Sequence, residues 1–504
     1  VHGKLVDVQI AEPLLDEESI KGYSLEVLTN KYLGKGKDEA LLREAASAYG
    51  VDPKSGLWQL HSRYVGPYAE FDAQSCVNIL PIQLEKLKAE DLLSIFELES
   101  KLLPLFYQMR KRGIPVDVDE AKKFRDRLEM QEDDLRRTFF KRYGCKIDEW
   151  SGPMLASLCD RHKISYPRTP KGNPSFTGDF LDQAGDPMLK MVSEIRTINR
   201  LKGTFVDDWI LKYVINGRVH PQWRQLASDE GGTRTGRAAA ANPNPQQVPA
   251  RSDLAPLLRK LFRHEKWAKL DYSQQEPRLL MHYANVCGLT GAADIVETYK
   301  RNPSTDIYQL LAESAGITRK QSKGATLGRM YGMGKAKYAA QQNISEQLAD
   351  EQLKEFDRKV PFVRELSDKC MSQAQLRGYI KTLLGRRRHF NLYEPRYRDQ
   401  GSSRDAALPL GAAQAAWPGV PLQRAYTYKA LNALIQGSAA DMTKAAMLLV
   451  YEKTDRVPFM AVHDELNYGV SSESEAHEIQ ELCEACVNIT VPIKADLSYG
   501  DHWK

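Results

Sequence analysis

The pattern of apolar and polar positions predicts a mainly helical chain with strands at widely separated places. Apolar residues recur at helical spacing over 92–113 and over 118–144, which predicts two long helices. Apolar or alternating runs predict strands at WAKLDYS, at PIKADLSYG and on both sides of HDE in VPFMAVHDELNYGV. Strands within 217–275 and 455–500 enclose a helical block, which predicts one sheet domain that carries a helical insertion.

Three other segments are less regular. Residues 1–95 mix short strand-like runs with helical runs, and GRVHPQWRQL alternates like a strand. GGTRTGRAAAANPNPQQVPA is loop-like because it is dense in Gly, Pro and Asn. Residues 391–423, rich in Gly, Pro and Ala, are predicted to form an inserted loop.

Length and composition narrow the class of protein. A chain of 504 residues is too long for one hydrophobic core, so several domains are expected. The chain has no run of about 18 apolar residues, so we expect no membrane partner. The start, VHGKLVDVQIAEPLL, lacks the basic and apolar regions of a signal peptide. It also lacks an initiator Met, which suits a start inside a longer protein.

Charge and cysteine content add weaker signals. The net charge of +5 permits nucleic-acid binding without requiring it, and basic runs such as GRRRHF are most often solvated faces. Seven scattered cysteines argue against a disulfide framework and for a reducing compartment. Cys483 and Cys486 form one CxxC without a second pair, so we interpret them as helix residues.

The first stretch with candidate chemistry is KLDYSQQEPR, residues 269–278. Asp271 ends an apolar strand just before a helix, and a strand end presents a carboxylate rigidly. Pro277 fits the helix because it falls in the first turn. Taken alone, Asp271 is better explained as a helix cap.

The second stretch is TRKQSKGATLGRMYGMG. Thr318 suits a helix cap, and Arg319, Lys323, Leu327 and Tyr331 then step by four along one slowly turning face. Two cations ahead of an apolar and an aromatic residue suit a ligand with phosphates at one end and a flat base at the other. An amphipathic helix with a basic edge is the alternative.

Two glycines in the same helix count against that alternative. Gly324 and Gly328 each cost about 1 kcal/mol against Ala in a helix interior. We therefore expect the close approach of another body, or a helix that moves.

The third stretch is FMAVHDELNYG, which predicts a hairpin with His463, Asp464 and Glu465 near its tip. Adjacent carboxylates on a tight turn repel each other without a cation, and such oxygen-rich sites suit Mg²⁺. An exposed acidic turn explains the stretch equally well when it is considered alone. A two-metal phosphoryl-transfer site consists of carboxylates on neighbouring strands and a nearby cationic helix, and the three stretches together supply these parts.

These motifs resemble those of the family-A DNA polymerases, the relatives of bacterial DNA polymerase I. DYSQQEPR resembles the first palm motif, RKQSKGATLGRMYGMG the fingers-helix motif and AVHDE the second palm motif. Weaker matches follow in the family's order: TGR at 235–237, GYIKTLLGRRR at 378–388 and NALIQGSAADMTK at 432–444. The resemblance covers about residues 95–504. It implies an α+β multidomain fold, a right hand of palm with antiparallel sheet, helical fingers and thumb.

The resemblance also implies roles at the reaction centre. Asp271 and Asp464 would bind two Mg²⁺ ions, for which Mn²⁺ could substitute, with help from the Tyr272 carbonyl. Glu465 would support this site. Lys323 would hold the triphosphate and give a proton to the leaving pyrophosphate.

Further residues would bind the nucleotide and the primer-template DNA. Arg319 would join Lys323 on the triphosphate of the incoming dNTP, and Gln274 and Glu276 would face its sugar. Glu276 would block a 2′-hydroxyl, and Tyr331 would lie beside the templating base. The expected DNA contacts are Arg237, Asn432, Gln436 and, at the primer end, His463.

Four departures from the family pattern are visible. Leu327 stands where Phe or Tyr is usual at the sugar-stacking position, which puts dideoxynucleotide discrimination in question. Pro277 replaces a usual Leu, Tyr428 replaces a common Arg, and alanines 238–241 replace serines. None removes a catalytic carboxylate.

The first 95 residues resemble part of an α/β 3′–5′ exonuclease domain. Tyr68 and Asp72 fit its Tyr-x3-Asp motif, which is weak when it stands alone. The three further carboxylates of such a site would lie upstream of this chain. We therefore expect that the chain cannot proofread by itself, and that an upstream exonuclease, helicase or nuclease portion is a possible partner.

The resulting domain scheme is an exonuclease-like part at 1–95, a thumb at 96–216, a palm at 217–288 and 425–504, and fingers at 289–424. The expected location is the cytoplasm of a bacterial or phage-infected cell, or a DNA-containing organelle. The open alternatives are a non-catalytic primer-template binding protein, an RNA polymerase or reverse transcriptase, and a nuclease as the main activity.

Overall fold

The computed structural model describes residues 3–19, 21–36, 39–249, 254–397 and 407–504. The α-helices, in chain order, are Val8–Leu15 (α1), Leu25–Leu33 (α2), Ala40–Ala48 (α3), Ser62–Ala89 (α4), Leu93–Arg112 (α5), Val118–Tyr143 (α6), Gly152–Arg161 (α7), Gly178–Gln183 (α8), Pro187–Arg200 (α9), Ala255–Arg259 (α10), Gln275–Val286 (α11), Ala292–Arg301 (α12), Ile307–Ala315 (α13), Arg319–Met330 (α14), Lys335–Gln342 (α15), Glu346–Lys359 (α16), Pro361–Arg377 (α17), Leu410–Ala416 (α18), Ala430–Thr454 (α19) and Glu473–Glu484 (α20). A π-helical segment, Leu201–Leu211, continues α9.

Short strands accompany these helices. They are Ile114–Pro115 (β1), Val214–Ile215 (β2), Arg218–Val219 (β3), Gln222–Arg224 (β4), Ala239–Ala241 (β5), Arg263–Tyr272 (β6), Tyr379–Lys381 (β7), Arg387–His389 (β8), Leu392–Pro395 (β9), Leu408–Pro409 (β10), Leu422–Arg424 (β11), Met460–Val462 (β12), Glu465–Gly469 (β13) and Ala495–His502 (β14). The predicted α+β class is confirmed. In the described part of the chain, no helix is both long and apolar enough to cross a membrane.

The central sheet has the order β12-β13-β6-β14, and its neighbours run antiparallel. Side chains alternate along β6, so Ala268, Leu270 and Tyr272 pack into a core with α5, α19 and α20. Asp271 and Lys269 therefore lie on the opposite face of the strand, as does Glu465, the direct cross-strand partner of Asp271. The sheet thus presents its carboxylates away from its main core.

A second large core holds the helical block together. It joins α11, α13, α16, α17 and α19 through buried residues that include Leu280, Leu311, Phe356, Leu366 and Ile435. The helix α14 packs on this core through Ala325 and Met330. The block is an insertion between β6 and β12, as the sequence predicts.

The structure contradicts three local expectations. The strand-like runs expected in residues 1–95 are wrong for the described residues, which form helices α1–α4. Asp7 caps α1, and Val8, Ile10 and Leu14 of that helix are buried, so these apolar residues are buried on a helix rather than on a strand.

The strand expected at 217–226 is broken at Pro221 into β3 and β4, because proline has no amide hydrogen for a sheet ladder. The predicted loop at 391–423 contains β9, β10, α18 and β11 in its described parts, with residues 398–406 outside them. The run LGAAQAA forms α18 because alanine has the highest helix propensity.

Candidate active site

The tip of the β12–β13 hairpin places Asp464 beside the end of β6. Val462 pairs with Glu465, so His463 and Asp464 form a two-residue turn, with His463 in the left-handed region at φ 59°. The Tyr272 amide donates a hydrogen bond to the Asp464 carbonyl oxygen at 3.2 Å. The two aspartates that the sequence singles out therefore lie at adjacent positions, although 193 residues separate them, the difference between 464 and 271.

Asp271, Asp464 and Glu465 are held close together, and their proximity is electrostatically unfavourable when they are ionised. Burial, followed by the neighbouring Asp464 and Glu465 carboxylates, raises the pKa of Asp271 to about 6. Burial also raises the pKa of Asp464, and the Arg237 and His463 side chains only partly oppose it. A divalent cation would remove this penalty, so the pair fits a metal site.

The donor set is small. Among the described residues, no group of three or more His, Cys, Asp or Glu side chains is arranged to hold a metal ion. Tyr272 can offer only its backbone carbonyl, because its buried hydroxyl donates to the Cys483 carbonyl oxygen at 2.9 Å. Two carboxylates and one carbonyl suit Mg²⁺, which keeps several waters and takes substrate phosphates as further ligands.

Glu465 is tied into a buried network. Its Oε1 accepts hydrogen bonds from Trp503 Nε1 and Asn467 Nδ2, each at 2.6 Å, and its Oε2 lies 3.8 Å from Lys269 Nζ. Trp267 Nε1 in turn donates to Asn467 Oδ1 at 2.8 Å. Burial raises the pKa of Glu465, and the hydrogen bonds from Asn467 and Trp503 partly offset that effect. This arrangement suits the supporting role expected for Glu465.

Helix α14 carries Arg319 and Lys323, the two predicted cations, and it begins after Thr318, the predicted cap. Thr318 and Gln321 form a capping box. Arg319 Nε donates to Asp306 Oδ2 at 2.6 Å, and Lys323 Nζ lies 5.6 Å from the centre of the Tyr308 ring. The Asp306 contact escaped the sequence analysis because Asp306 signals only a cap of α13.

One of the two glycines of α14 has the close neighbour that the sequence predicts. A Cβ at Gly324 would lie 2.6 Å from Gln342 Nε2 on α15. A Cβ at Gly328 would meet only ordinary contacts, with Met333 atoms at 3.6 Å. The need for glycine is therefore steric at Gly324 and is not explained by packing at Gly328.

Glu276 joins two other predicted site residues. Its Oε1 lies 2.6 Å from Arg237 Nη2, and its Oε2 accepts from the Tyr331 hydroxyl at 2.6 Å. Gln436 lies near the Tyr331 hydroxyl and partly offsets the rise in the pKa of Tyr331 that burial and Glu276 cause. The four residues form one chain of contacts from the TGR loop, through α11 and the end of α14, to α19.

Other predicted contacts are placed differently. Gln274 donates to the Thr305 carbonyl oxygen and accepts from Tyr299 and Ile307, so its amide is engaged with the neighbouring helices. Leu327 is half-buried against the core of the helical block.

Asn432 is half-buried on α19, where its Oδ1 finds no hydrogen-bond partner within the described part of the chain. Tyr68 and Asp72 lie one turn apart on α4, and the exonuclease reading of them stays a prediction.

Sequence reasoning also missed two residues near the carboxylates. Trp503 reaches Glu465 across the sheet, and Asp496 is the cross-strand partner of Asp271 on β14. The DHW run at the chain end shows no motif, so only the register of the sheet reveals these contacts.

Comparison with known proteins identifies the family. Residues 118–504 match the model of DNA polymerase family A. The "DNA-directed DNA polymerase" of Pseudomonas phage M6 is 32% identical over 99% of this chain and 79% of its own length. DNA polymerase I of Geobacillus stearothermophilus is 27% identical over 100% of this chain and 56% of its own length.

A solved structure shares the fold. The POL domain of Pol1 from M. smegmatis, in complex with DNA primer-template and dNTP, superposes with a TM-score of 0.76 at 23% identity. The match covers 99% of this chain and 81% of that one. The family match and the phage relative together show that the chain belongs to DNA polymerase family A and is a DNA polymerase.

Proposed function

We propose that the chain extends a primer 3′ end with deoxynucleotides on a DNA template, at a site built on Asp271 and Asp464. The observation that carries the proposal is the pair of half-buried carboxylates, Asp271 at the end of β6 and Asp464 at the tip of the hairpin. Burial raises the pKa of both, and the Asp464 carboxylate adds to the rise at Asp271. The phage relative is named a DNA-directed DNA polymerase, and the structural neighbour holds primer-template and dNTP. Both support this substrate class.

The residues would divide the work as follows. Two Mg²⁺ ions, when bound, would lower the pKa of the primer hydroxyl and stabilise the leaving pyrophosphate. Asp271, Asp464 and the Tyr272 carbonyl would hold them, and Glu465 would keep the corner rigid through its bonds to Trp503 and Asn467.

The cations of α14 would hold the triphosphate. Arg319 and Lys323 would bind phosphate oxygens, and Lys323 would give a proton to the pyrophosphate. Glu276, fixed by Arg237 and Tyr331, would exclude a 2′-hydroxyl and thereby favour deoxynucleotides.

The domain scheme supports the same proposal. The sheet β12-β13-β6-β14 would be the palm, the helical block α12–α17 the fingers, and the helices from α5 to the π-helical segment the thumb. The helices α1–α4 would belong to the exonuclease-like part.

Primer extension by Asp271→Asn and Asp464→Asn variants tests the proposal. Each change removes a carboxylate charge with little change in shape, so extension should fall at least about 100-fold, because a positioned metal contributes several kcal/mol. Primer-template binding, measured by anisotropy, should persist. Asp501→Asn, on the exposed end of the same sheet, is the matched control and should extend normally.

Two outcomes would overturn this assignment. Near-normal extension by either variant would exclude the carboxylates as the reaction centre. DNA binding by the unaltered chain without any extension, with Mg²⁺ or with Mn²⁺, would favour the non-catalytic binding protein. Equal use of dNTP and rNTP would contradict the role of Glu276.

A further inference from the structure

Two tyrosines stand exposed at the entry to α19. Tyr426 and Tyr428 are 39% and 45% exposed; Tyr426 immediately precedes a 3₁₀ turn, Thr427–Lys429, that leads into the helix, and Tyr428 is the middle residue of that turn. Gln375 Nε2 donates to Thr427 Oγ1 at 2.9 Å, which fixes the turn against α17. The two rings are therefore displayed on a fixed segment.

The backbone adds to this picture. Tyr426 has φ 60°, in the left-handed region, which is uncommon for a bulky residue and costs free energy. Tyr426 adopts this left-handed conformation, and both aromatic rings remain in contact with solvent.

A cation lies over both rings. Lys429 Nζ is 4.8 Å from the centre of the Tyr426 ring and 5.7 Å from that of Tyr428. Aromatic faces beside an exposed ammonium group match a nucleic-acid strand, which offers flat bases and phosphates together. An apolar protein segment would offer no acceptor or negative charge to the Lys429 ammonium group.

The position of Tyr428 is fixed by the end of the fingers helix. Gly332 follows Tyr331, and a Cβ at Gly332 would lie 2.9 Å from Tyr428 Cδ2 and 3.0 Å from the Tyr428 carbonyl oxygen. Gly332 also has φ 65°, a conformation that favours glycine. The Tyr428 ring thus lies directly beside Gly332, the residue that follows Tyr331, which we place next to the templating base.

The same tyrosine extends a line of proposed DNA contacts. Tyr428, Asn432 and Gln436 are spaced by four, so they follow one face from the turn into α19. Asn432 has an unpartnered Oδ1 within the described part of the chain, which a DNA donor could satisfy. The line begins at Tyr428, and Tyr426 lies two residues before it.

We propose that Tyr426 and Tyr428, with Lys429, form a stacking platform for the unpaired template bases that have not yet been copied. The proposal rests on the proposed function, because it takes the direction of the DNA from the contacts along α19. Within a duplex, neighbouring base pairs cover the faces of the bases, whereas successive unpaired template bases have faces free to stack on exposed rings.

The test compares two DNA ligands that share one duplex. One is blunt, and the other carries a short 5′ overhang on the template strand. Anisotropy titrations give the affinity of each, and 2-aminopurine at the first unpaired template position reports stacking by its quenched fluorescence. The unaltered chain should bind the overhang ligand more tightly and quench the probe.

The variants separate stacking from folding. Tyr426→Leu and Tyr428→Leu keep apolar bulk but remove the aromatic face. Each should weaken binding of the overhang ligand by about fivefold or more, the lower end for base–aromatic stacking, with blunt binding unchanged. Tyr426→Phe and Tyr428→Phe should retain the preference, because stacking does not need the hydroxyl. Tyr107→Leu is the control, since Tyr107 is 63% exposed on α5.

Three outcomes would overturn the platform: an unchanged overhang preference in the double Leu variant, equal losses for both ligands, or no quenching in the unaltered chain. The proposed function fails separately. A chain that quenches the probe but never extends the primer would retain the platform and refute the polymerase site.

Discussion

Carboxylate side chains have different surroundings at three places in this site. Asp464 is half-buried and its backbone carbonyl accepts from the Tyr272 amide, Glu465 accepts two hydrogen bonds at Oε1 from Trp503 and Asn467, and Glu276 bridges Arg237 and Tyr331. The sequence predicts that carboxylates are present and that Asp271 and Asp464 meet. It cannot predict their partners, because those contacts depend on the sheet register and on side chains far along the chain.

The Trp503 contact leads to a prediction with an internal comparison. Trp503 and Trp267 are both fully buried, and their indole groups donate to the charged Glu465 and to the neutral Asn467, respectively. Hydrogen bonds to charged groups contribute about 1.5–3 kcal/mol and neutral ones about 0.5–1.5 kcal/mol. Trp503→Phe should therefore lower the thermal midpoint of unfolding more than Trp267→Phe does. Equal losses, measured by calorimetry, would show that the Glu465 carboxylate gains nothing from the indole.

At the scale of elements, the sequence is most informative where one pattern is long. The helices α5, α6, α11 and α14, the hairpin and β14 were all predicted, because helical spacing, caps and alternation are local properties. The region 391–423 was missed, since its small sheet of β9, β10 and β11 forms by pairing between residues that are far apart. The helix α1 was missed because its apolar residues suit a strand equally well.

The two glycines of α14 provide an element-scale prediction. Gly328→Ala adds a Cβ that meets Met333 and Tyr338 at ordinary distances, so it should raise the stability by up to about 1 kcal/mol through helix propensity. Gly324→Ala should gain less or lose stability, because Gln342 Nε2 lies 2.6 Å from the new Cβ and must move. Thermal melting of both variants checks this. A larger gain at Gly324 would contradict the packing explanation.

At the scale of the whole molecule, an acidic clamp joins the N-terminal helices to the β7–β8 hairpin. We define the acidic clamp as Glu17, Glu18, Glu90 and Asp91, which contact Lys381, Arg387, Arg388 and His389. Arg388 Nη1 lies 2.7 Å from Glu17 Oε1. Nothing in the sequence pairs these runs, because about 290 to 370 residues lie between the partners.

His389 makes this clamp depend on pH. Burial acts to lower its pKa, but hydrogen bonds to Glu17 at 2.8 Å and to Glu90 at 3.0 Å outweigh burial and raise the pKa to about 9. The same contacts lower the pKa of Glu17 and of Glu90 against the opposing effect of burial. The histidine is therefore a cation at neutral pH, and Arg387 and Arg388 share its carboxylate partners.

The direction of the pH effect follows from the raised pKa of His389. A group whose pKa rises from 6.5 to about 9 on folding stabilises the fold fully below pH 6.5, and that contribution disappears as the pH rises through about 9. The upper limit is roughly 3 kcal/mol, from 1.36 kcal/mol for each pKa unit. His389→Gln should therefore lower the thermal midpoint strongly at pH 6 and only weakly at pH 10. His477→Gln, an exposed histidine on α20, is the matched control and should change the midpoint little at either pH. A His389→Gln deficit that stays constant from pH 6 to pH 10 would show that the clamp does not depend on the charge of the imidazole.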